Sequence, residues 1–258
     1  VIPLSAPVEP EDNLPPDSPK PRARGVYLLP NLFTTASLFS GFYAVVAAMN
    51  GHFENSAIAI FVSMILDSLD GRVARMTNTQ SAFGAEYDSL ADMVAFGVAP
   101  ALVAFSWALS DLGKIGWIAS FIYVAGAALR LARFNTQIGS TDKKFFVGLP
   151  SPSAAALVAG TVWTLHDTEV TPLLSWLGVV VVASAGMLMV SNVLFYSFKD
   201  FDLKGKVPFV AVLLIVLGFA IVATAPAQVL LAVFVLYTLS GPFQALQRKR
   251  KKNSVSKL

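Results

Sequence analysis

The sequence predicts an all-α fold, a polytopic integral membrane bundle of about eight transmembrane helices. Two observations carry that prediction. Hydrophobic residues make up 55% of the 258 positions and charged residues only 14%, against about 25% charged in ordinary soluble domains. Uninterrupted apolar runs such as "VPFVAVLLIVLGFAIVATA" match the roughly 20 residues that a helix needs to cross about 30 Å of hydrocarbon. The alternation of a membrane barrel is absent, and helices satisfy every backbone polar group within one segment.

Taken in order, the apolar windows place spans at 31–49, 55–76, 85–108, 115–135, 150–165, 172–195, 207–223 and 227–246. Polar breaks with helix-stop character separate them: "NGHFEN", "SDLGK", "HDTEVTP" and "TAPAQ". The second window is the least apolar. Only "AIAIFVSMIL" precedes Asp67, so its second half is expected in a protein-lined or wet cavity. Pro100, inside the third window, reads as a kink.

Residues 1–24, rich in Pro and charge, read as a disordered cytoplasmic arm without the apolar core of a signal peptide. Residues 25–246 are expected to form one transmembrane domain, and 247–258 a basic tail. With both termini cytoplasmic, every Lys and Arg except Lys114 falls on the inner side, as the positive-inside rule asks. The tail then reads as an orientation signal touching anionic membrane lipids, not as a nucleic-acid site. The expected location is the bacterial inner membrane. The sequence has no cysteine, so disulfides and thiolate chemistry are excluded.

The segment "LDSLDGRVARMTNTQSAFGAEYDSLADMVAF" stands apart from this apolar background. Charges at membrane depth cost several kcal/mol unless paired or solvated, so they mark function by default. Asp67 and Asp70 are three apart, Asp88 and Asp92 four apart, and each pair shares a helix face. Converging carboxylates need compensation, and hard oxygen donors suit Mg²⁺, Mn²⁺ or Ca²⁺. Arg72 and Arg75 beside the acids fit a phosphate-bearing ligand, and Gly71, Ala74 and Gly84 leave room for it. The bland alternative is a helix hairpin closed by Asp–Arg ion pairs. Ser68 and Ser89 are expected to support the aspartates by hydrogen bonding.

Asp67-x2-Asp70-Gly71-x2-Ala74-Arg75-x8-Gly84-x3-Asp88-x3-Asp92 resembles, position for position, the signature of the CDP-alcohol phosphotransferases. The resemblance implies two divalent ions held by Asp67, Asp70 and Asp88, with Asp92 able to reach one of them and acting as general base. It implies CDP-diacylglycerol binding by Asp70, Gly71, Ala74, Arg75 and Gly84, with Asn31 and Thr34 adding polar contacts from the first span. A homodimer is also what the family implies.

The acceptor alcohol is not written in that signature. "LRLARFN", "FVGLPSP" and "YSFKD" look like the phosphatidylserine synthase branch of the family. That resemblance implies transfer of the phosphatidyl group to L-serine, giving phosphatidylserine and CMP. Arg130, Arg133, Asn135, Gly148, Pro150 and Ser151 are the expected serine-binding residues. Snorkelling to the interface is the bland alternative for the two arginines. Glycerol 3-phosphate or an inositol-type alcohol is the rival acceptor within the family, and a divalent-cation transporter the rival outside it.

Overall fold

The computed structural model describes residues 28–136, 145–197 and 209–255. The arm at 1–24, Lys199 and the last three residues of the tail lie outside the described residues. Eight helices and one small hairpin are described. In chain order they are α1 (Leu28–Met49), α2 (Phe53–Met76), α3 (Ala82–Leu112), α4 (Lys114–Thr136) and α5 (Ser151–Leu165). Then come α6 (Pro172–Val190), α7 (Phe209–Thr224) and α8 (Pro226–Val255).

Five of these, α1, α3, α4, α6 and α8, are long and apolar enough to cross a membrane by length and composition, consistent with an integral membrane protein. The other three do not meet that description. α2 carries Asp67, Asp70, Arg72 and Arg75 in its second half, and α5 and α7 are only 15 and 16 residues long.

The sixth predicted span, 172–195, is too long at its end. α6 stops at Val190, where Ser191 turns to extended backbone (ψ 159°). Leu194–Tyr196 forms β2, paired antiparallel with β1 (Phe145–Val147), so the fold is not wholly α. Gly148, at φ +80°, lets the chain turn out of β1 and donate its N–H to Val193 O at 2.8 Å. Leu149 N–H reaches Leu188 O at 3.0 Å, so the entry to α5 is stitched to the end of α6.

The core is built mainly of alanine, with Ile60, Phe96, Tyr123, Leu149 and Phe195 as its large buried members. Lipid offers no hydrophobic drive between helices, so small residues and interhelical hydrogen bonds do the joining. On α1, Thr34, Ser37 and Ser40 form a stripe three residues apart, all facing α2. The Ser37 and Ser63 hydroxyls meet at 2.8 Å, and Ser40 Oγ donates to Ala59 O at 2.7 Å.

Pro100 does not act as a simple kink. α3 is α-helical over Ala82–Asp92, opens into a π-turn over Met93–Val98 and returns to α over Ala99–Ala104. Pro100 has no N–H to give Phe96 O in the α register. The fully buried Tyr123 of α4 supplies the missing donor, its hydroxyl reaching Phe96 O at 3.0 Å. The widened turn begins directly after Asp92, so the last aspartate ends the regular part of α3.

Candidate active site

α2 and α3 run to and from a short turn, residues 77–81, in which Ser81 caps α3 by accepting the Gly84 N–H at 3.0 Å. This hairpin brings the two aspartate-bearing faces together. One carboxylate oxygen each from Asp67, Asp70 and Asp88 lies within 4.8 Å of the others. Asp92 comes within hydrogen-bonding reach of Asp67. The expected convergence is therefore observed for all four acids.

Ion pairing does not explain the cluster. Among the described residues no arginine comes within ion-pair distance of these aspartates; the described pairs are those of His166 with Glu54 and Asp167. His166 lies at the far end of α5, and Glu54 starts α2, thirteen residues and about 20 Å before Asp67. Asp88 Oδ1 and Asp92 Oδ1 are shielded from solvent and accept no hydrogen bond. Buried acceptors without partners are rare and call for an unseen group. Carboxylate oxygens crowded together, with no Cys or His nearby, fit a hard divalent cation. The residues present fit the metal that the signature implies.

Thr34 reaches the aspartate cluster itself. It is 4% exposed, and its hydroxyl donates to Asp70 Oδ2 at 2.8 Å. Its polar contact is thus with a carboxylate of the cluster. Asn31 Oδ1 would lie 3.5 Å from a Cβ at Gly84, and the Arg75 guanidinium 3.6 Å from one at Gly71. Asn31 thus adjoins Gly84 and Arg75 adjoins Gly71, with Ala74 half-buried on α2. Ser68 and Ser89 do not bond to the aspartates. Ser68 Oγ donates to Met64 O at 2.8 Å and Ser89 Oγ to Ala85 O at 3.1 Å, the usual back-bonding of helical serines.

The six residues expected around the acceptor separate into four settings. Arg130 donates from Nη1 to Ser151 Oγ at 2.8 Å, Ser151 being fully buried at the start of α5. Its Nε is shielded and unpartnered, and its charge lies within electrostatic reach of Asp92. Arg133 instead holds the end of α6, with Nη2 to Val190 O at 2.6 Å and Nη1 to Ser191 O at 3.4 Å. Asn135 donates from Nδ2 to Ser89 Oγ at 3.0 Å. Gly148 and Pro150 are buried in the link between β1 and α5. Neither arginine snorkels freely.

Sequence reasoning passed over Thr35 and Tyr87, whose hydroxyls meet at 2.9 Å between α1 and α3. It also missed the cavity of ≈ 1010 Å³ behind α2, lined by Arg72, Arg75, Phe146, Pro150, Ser197 and Tyr237 among others. Its lining includes Arg72, Arg75 and Pro150, which the sequence singled out for ligand contacts without showing that they share one cavity.

The CDP-alcohol phosphatidyltransferase family profile matches residues 27–184. Among curated relatives, the CDP-diacylglycerol–serine O-phosphatidyltransferase of Helicobacter pylori strain J99 is 40% identical over 219 residues, 84% of this chain and 90% of that one. The Mycobacterium leprae protein of the same name is 33% identical over 238 residues, 86% of this chain and 76% of that one. Among solved structures, Mycobacterium tuberculosis phosphatidylinositol phosphate synthase with CDP-DAG bound aligns at a TM-score of 0.49 and 18% identity, covering 64% of this chain and 82% of that one. With the profile spanning the aspartate hairpin and these relatives matching over 84–86% of the chain, this chain belongs to the CDP-alcohol phosphatidyltransferase family.

Proposed function

We propose that this protein transfers the phosphatidyl group of CDP-diacylglycerol to L-serine, releasing CMP and forming phosphatidylserine. The carrying observation is the aspartate cluster itself: oxygens of Asp67, Asp70 and Asp88 within 4.8 Å, with buried unpartnered oxygens on Asp88 and Asp92. The names of the Helicobacter and Mycobacterium relatives support serine as the acceptor.

Asp67, Asp70 and Asp88 would hold two divalent ions, Mg²⁺ or Mn²⁺ (Ca²⁺ as a crystallographic substitute), with Asp92 as an optional further ligand. Bound there, the ions neutralise the pyrophosphate and stabilise charge on departing CMP. Gly71, Ala74 and Gly84 let the nucleotide lie close to the backbone. Asn31 offers it a polar contact, and the planar fork of Arg75 suits a phosphate. Thr34 holds Asp70 in one orientation by its hydrogen bond.

Asp92 takes the proton of the serine hydroxyl as that oxygen attacks the phosphorus bearing diacylglycerol. A P–O bond to serine forms while the bond to the CMP oxygen breaks in line, and the proton stays on Asp92 until solvent removes it. No covalent enzyme intermediate is needed. Arg130, held by Ser151 beside Asp92, receives the serine carboxylate, and the link through Gly148 and Pro150 walls that pocket. Arg133 and Asn135 shape the pocket through their neighbours. Both termini and the site face the cytoplasm of a bacterial inner membrane, eight helices cross it, the acyl chains leave sideways between helices, and the protein works as a homodimer.

The test supplies purified protein, CDP-diacylglycerol and Mg²⁺ or Mn²⁺ with L-serine, glycerol 3-phosphate or inositol in turn, and follows CMP release. Release with serine alone is expected. Release with another alcohol and none with serine overturns the acceptor, and no release with any of them overturns the enzyme.

A further inference from the structure

The aspartate stripe of α3 is held from both flanks by hydrogen bonds outside the family signature. Tyr87 and Ser89 neighbour Asp88, so they project about 100° to either side of it. On one flank Thr35 Oγ1 donates to Asn31 O at 2.7 Å, which leaves the Tyr87 hydroxyl to donate to Thr35 at 2.9 Å. On the other flank Ser89 Oγ donates to Ala85 O at 3.1 Å and accepts Asn135 Nδ2 at 3.0 Å. Each hook thus has an assigned donor and acceptor. One ties α3 to α1 and the other ties it to the last turn of α4.

We infer that Asn135 and Thr35 are positioning residues, acting through Ser89 and Tyr87 to fix the roll of α3 and so aim Asp88 at Asp67 and Asp70. The inference rests on the proposed metal-dependent reading. Its physical basis is leverage. Asp88 Oδ1 has no hydrogen bond of its own to orient it, and the regular part of α3 ends at Asp92 in a π-turn. The roll of that short segment is therefore set at its flanks. A rotation of about 20° moves a carboxylate some 6 Å from the helix axis by about 2 Å, enough to lose a metal ligand whose distance is fixed near 2.1 Å.

The same reasoning gives Asn135 no direct contact with the acceptor. Its amide is engaged with α3, while Arg130 and Ser151 face each other on the α5 side.

The experiment uses full-length purified protein and two readouts. Mn²⁺ binding without substrates is measured by electron paramagnetic resonance, and CMP release is measured across metal and serine concentrations. For Asn135→Ala we expect the Mn²⁺ Kd and the half-saturating metal concentration to rise together, about 10-fold as for other residues that orient metal ligands. The serine KM should stay within about twofold at saturating metal, since no acceptor contact is lost. Ser89→Ala should match it, the double variant should add nothing further, and Ser89→Thr should retain the wild-type metal dependence. Tyr87→Phe, on the exposed hook, should shift the metal dependence in the same direction without touching α4. A serine KM that rises while Mn²⁺ binding is unchanged would place Asn135 at the acceptor and overturn the inference. Unchanged metal dependence in both Asn135→Ala and Tyr87→Phe also overturns it. Absence of Mn²⁺ binding in the unaltered protein would overturn the metal-dependent reading, and the inference with it.

Discussion

Thr34→Val removes a single hydroxyl from the site and little else. Valine is close to threonine in volume and in helix propensity, so α1 should keep its course and no cavity should open. What disappears is the 2.8 Å hydrogen bond to Asp70 Oδ2. The same hydroxyl lies 3.1 Å from Pro30 O, but its one proton favours the shorter contact and the charged acceptor. Hydrogen bonds to charged groups contribute about 1.5–3 kcal/mol when the partner is buried, and Asp70 is 5% exposed. At 1.4 kcal/mol per decade, the expected loss is about 10- to 150-fold in kcat/KM. Because the bond orients a carboxylate proposed to hold metal, the loss should shrink as Mg²⁺ or Mn²⁺ is raised, and Thr34→Ser should recover most of it. The assay is CMP release from CDP-diacylglycerol and serine across a metal titration. A defect confined to the CDP-lipid KM and indifferent to metal would return Thr34 to the nucleotide contact that the signature implies. Unchanged kinetics would remove Thr34 from the site.

Two further substitutions divide the remaining roles. Asp92→Asn should lower turnover by about 10²–10⁴-fold, the usual range for a lost general base, while CDP-diacylglycerol binding by calorimetry stays nearly intact; loss of binding instead would make Asp92 chiefly a metal ligand. Arg130→Ala should raise the serine KM about 10-fold or more, as expected for a lost charged hydrogen bond, with the CDP-lipid KM little changed; the reverse pattern in initial-rate measurements would refute its contact with the serine carboxylate.

The chemistry of the site was more legible in the sequence than its support. Asp67, Asp70, Asp88 and Asp92 declare themselves because helical spacing and the cost of intramembrane charge both single them out, and a hairpin has few ways to place two such faces. The helices were legible for the same reason, since long apolar runs leave lipid-embedded backbone one option. Thr34, Ser37 and Ser40 were not, because a hydroxyl at every third position looks the same whether it bonds its own helix or a neighbour. "LFY" in β2 failed as a strand because an apolar triplet carries no period. The π-turn after Asp92 is visible only as Pro100, and its repair by Tyr123 depends on a packing partner distant in the chain.

Arg130 and Arg133 show how a shared helix face can still divide its work. Their spacing of three puts them on one side of α4, yet three residues' rise, about 4.5 Å, separates their targets. α4 and α6 cross closely: a Cβ on Gly186 would stand 2.7 Å from Tyr123 Cα. That approach carries the last turn of α4 to the end of α6, whose final carbonyls have no intrahelical donors. Arg133 takes two of them, at Val190 and Ser191, as a cation at a helix C-terminus favours. The same helix end receives Leu149 N–H at Leu188 O, and two residues later Ser151 meets Arg130. Arg133 therefore steadies the frame from which Ser151 orients Arg130, leaving Arg130 Nε as a buried unspent donor, with the Arg130 charge within electrostatic reach of Asp92. An arginine that binds substrate needs such a donor left over, and of the two it is Arg130 whose shielded Nε lacks a partner and whose charge reaches Asp92, the proposed base.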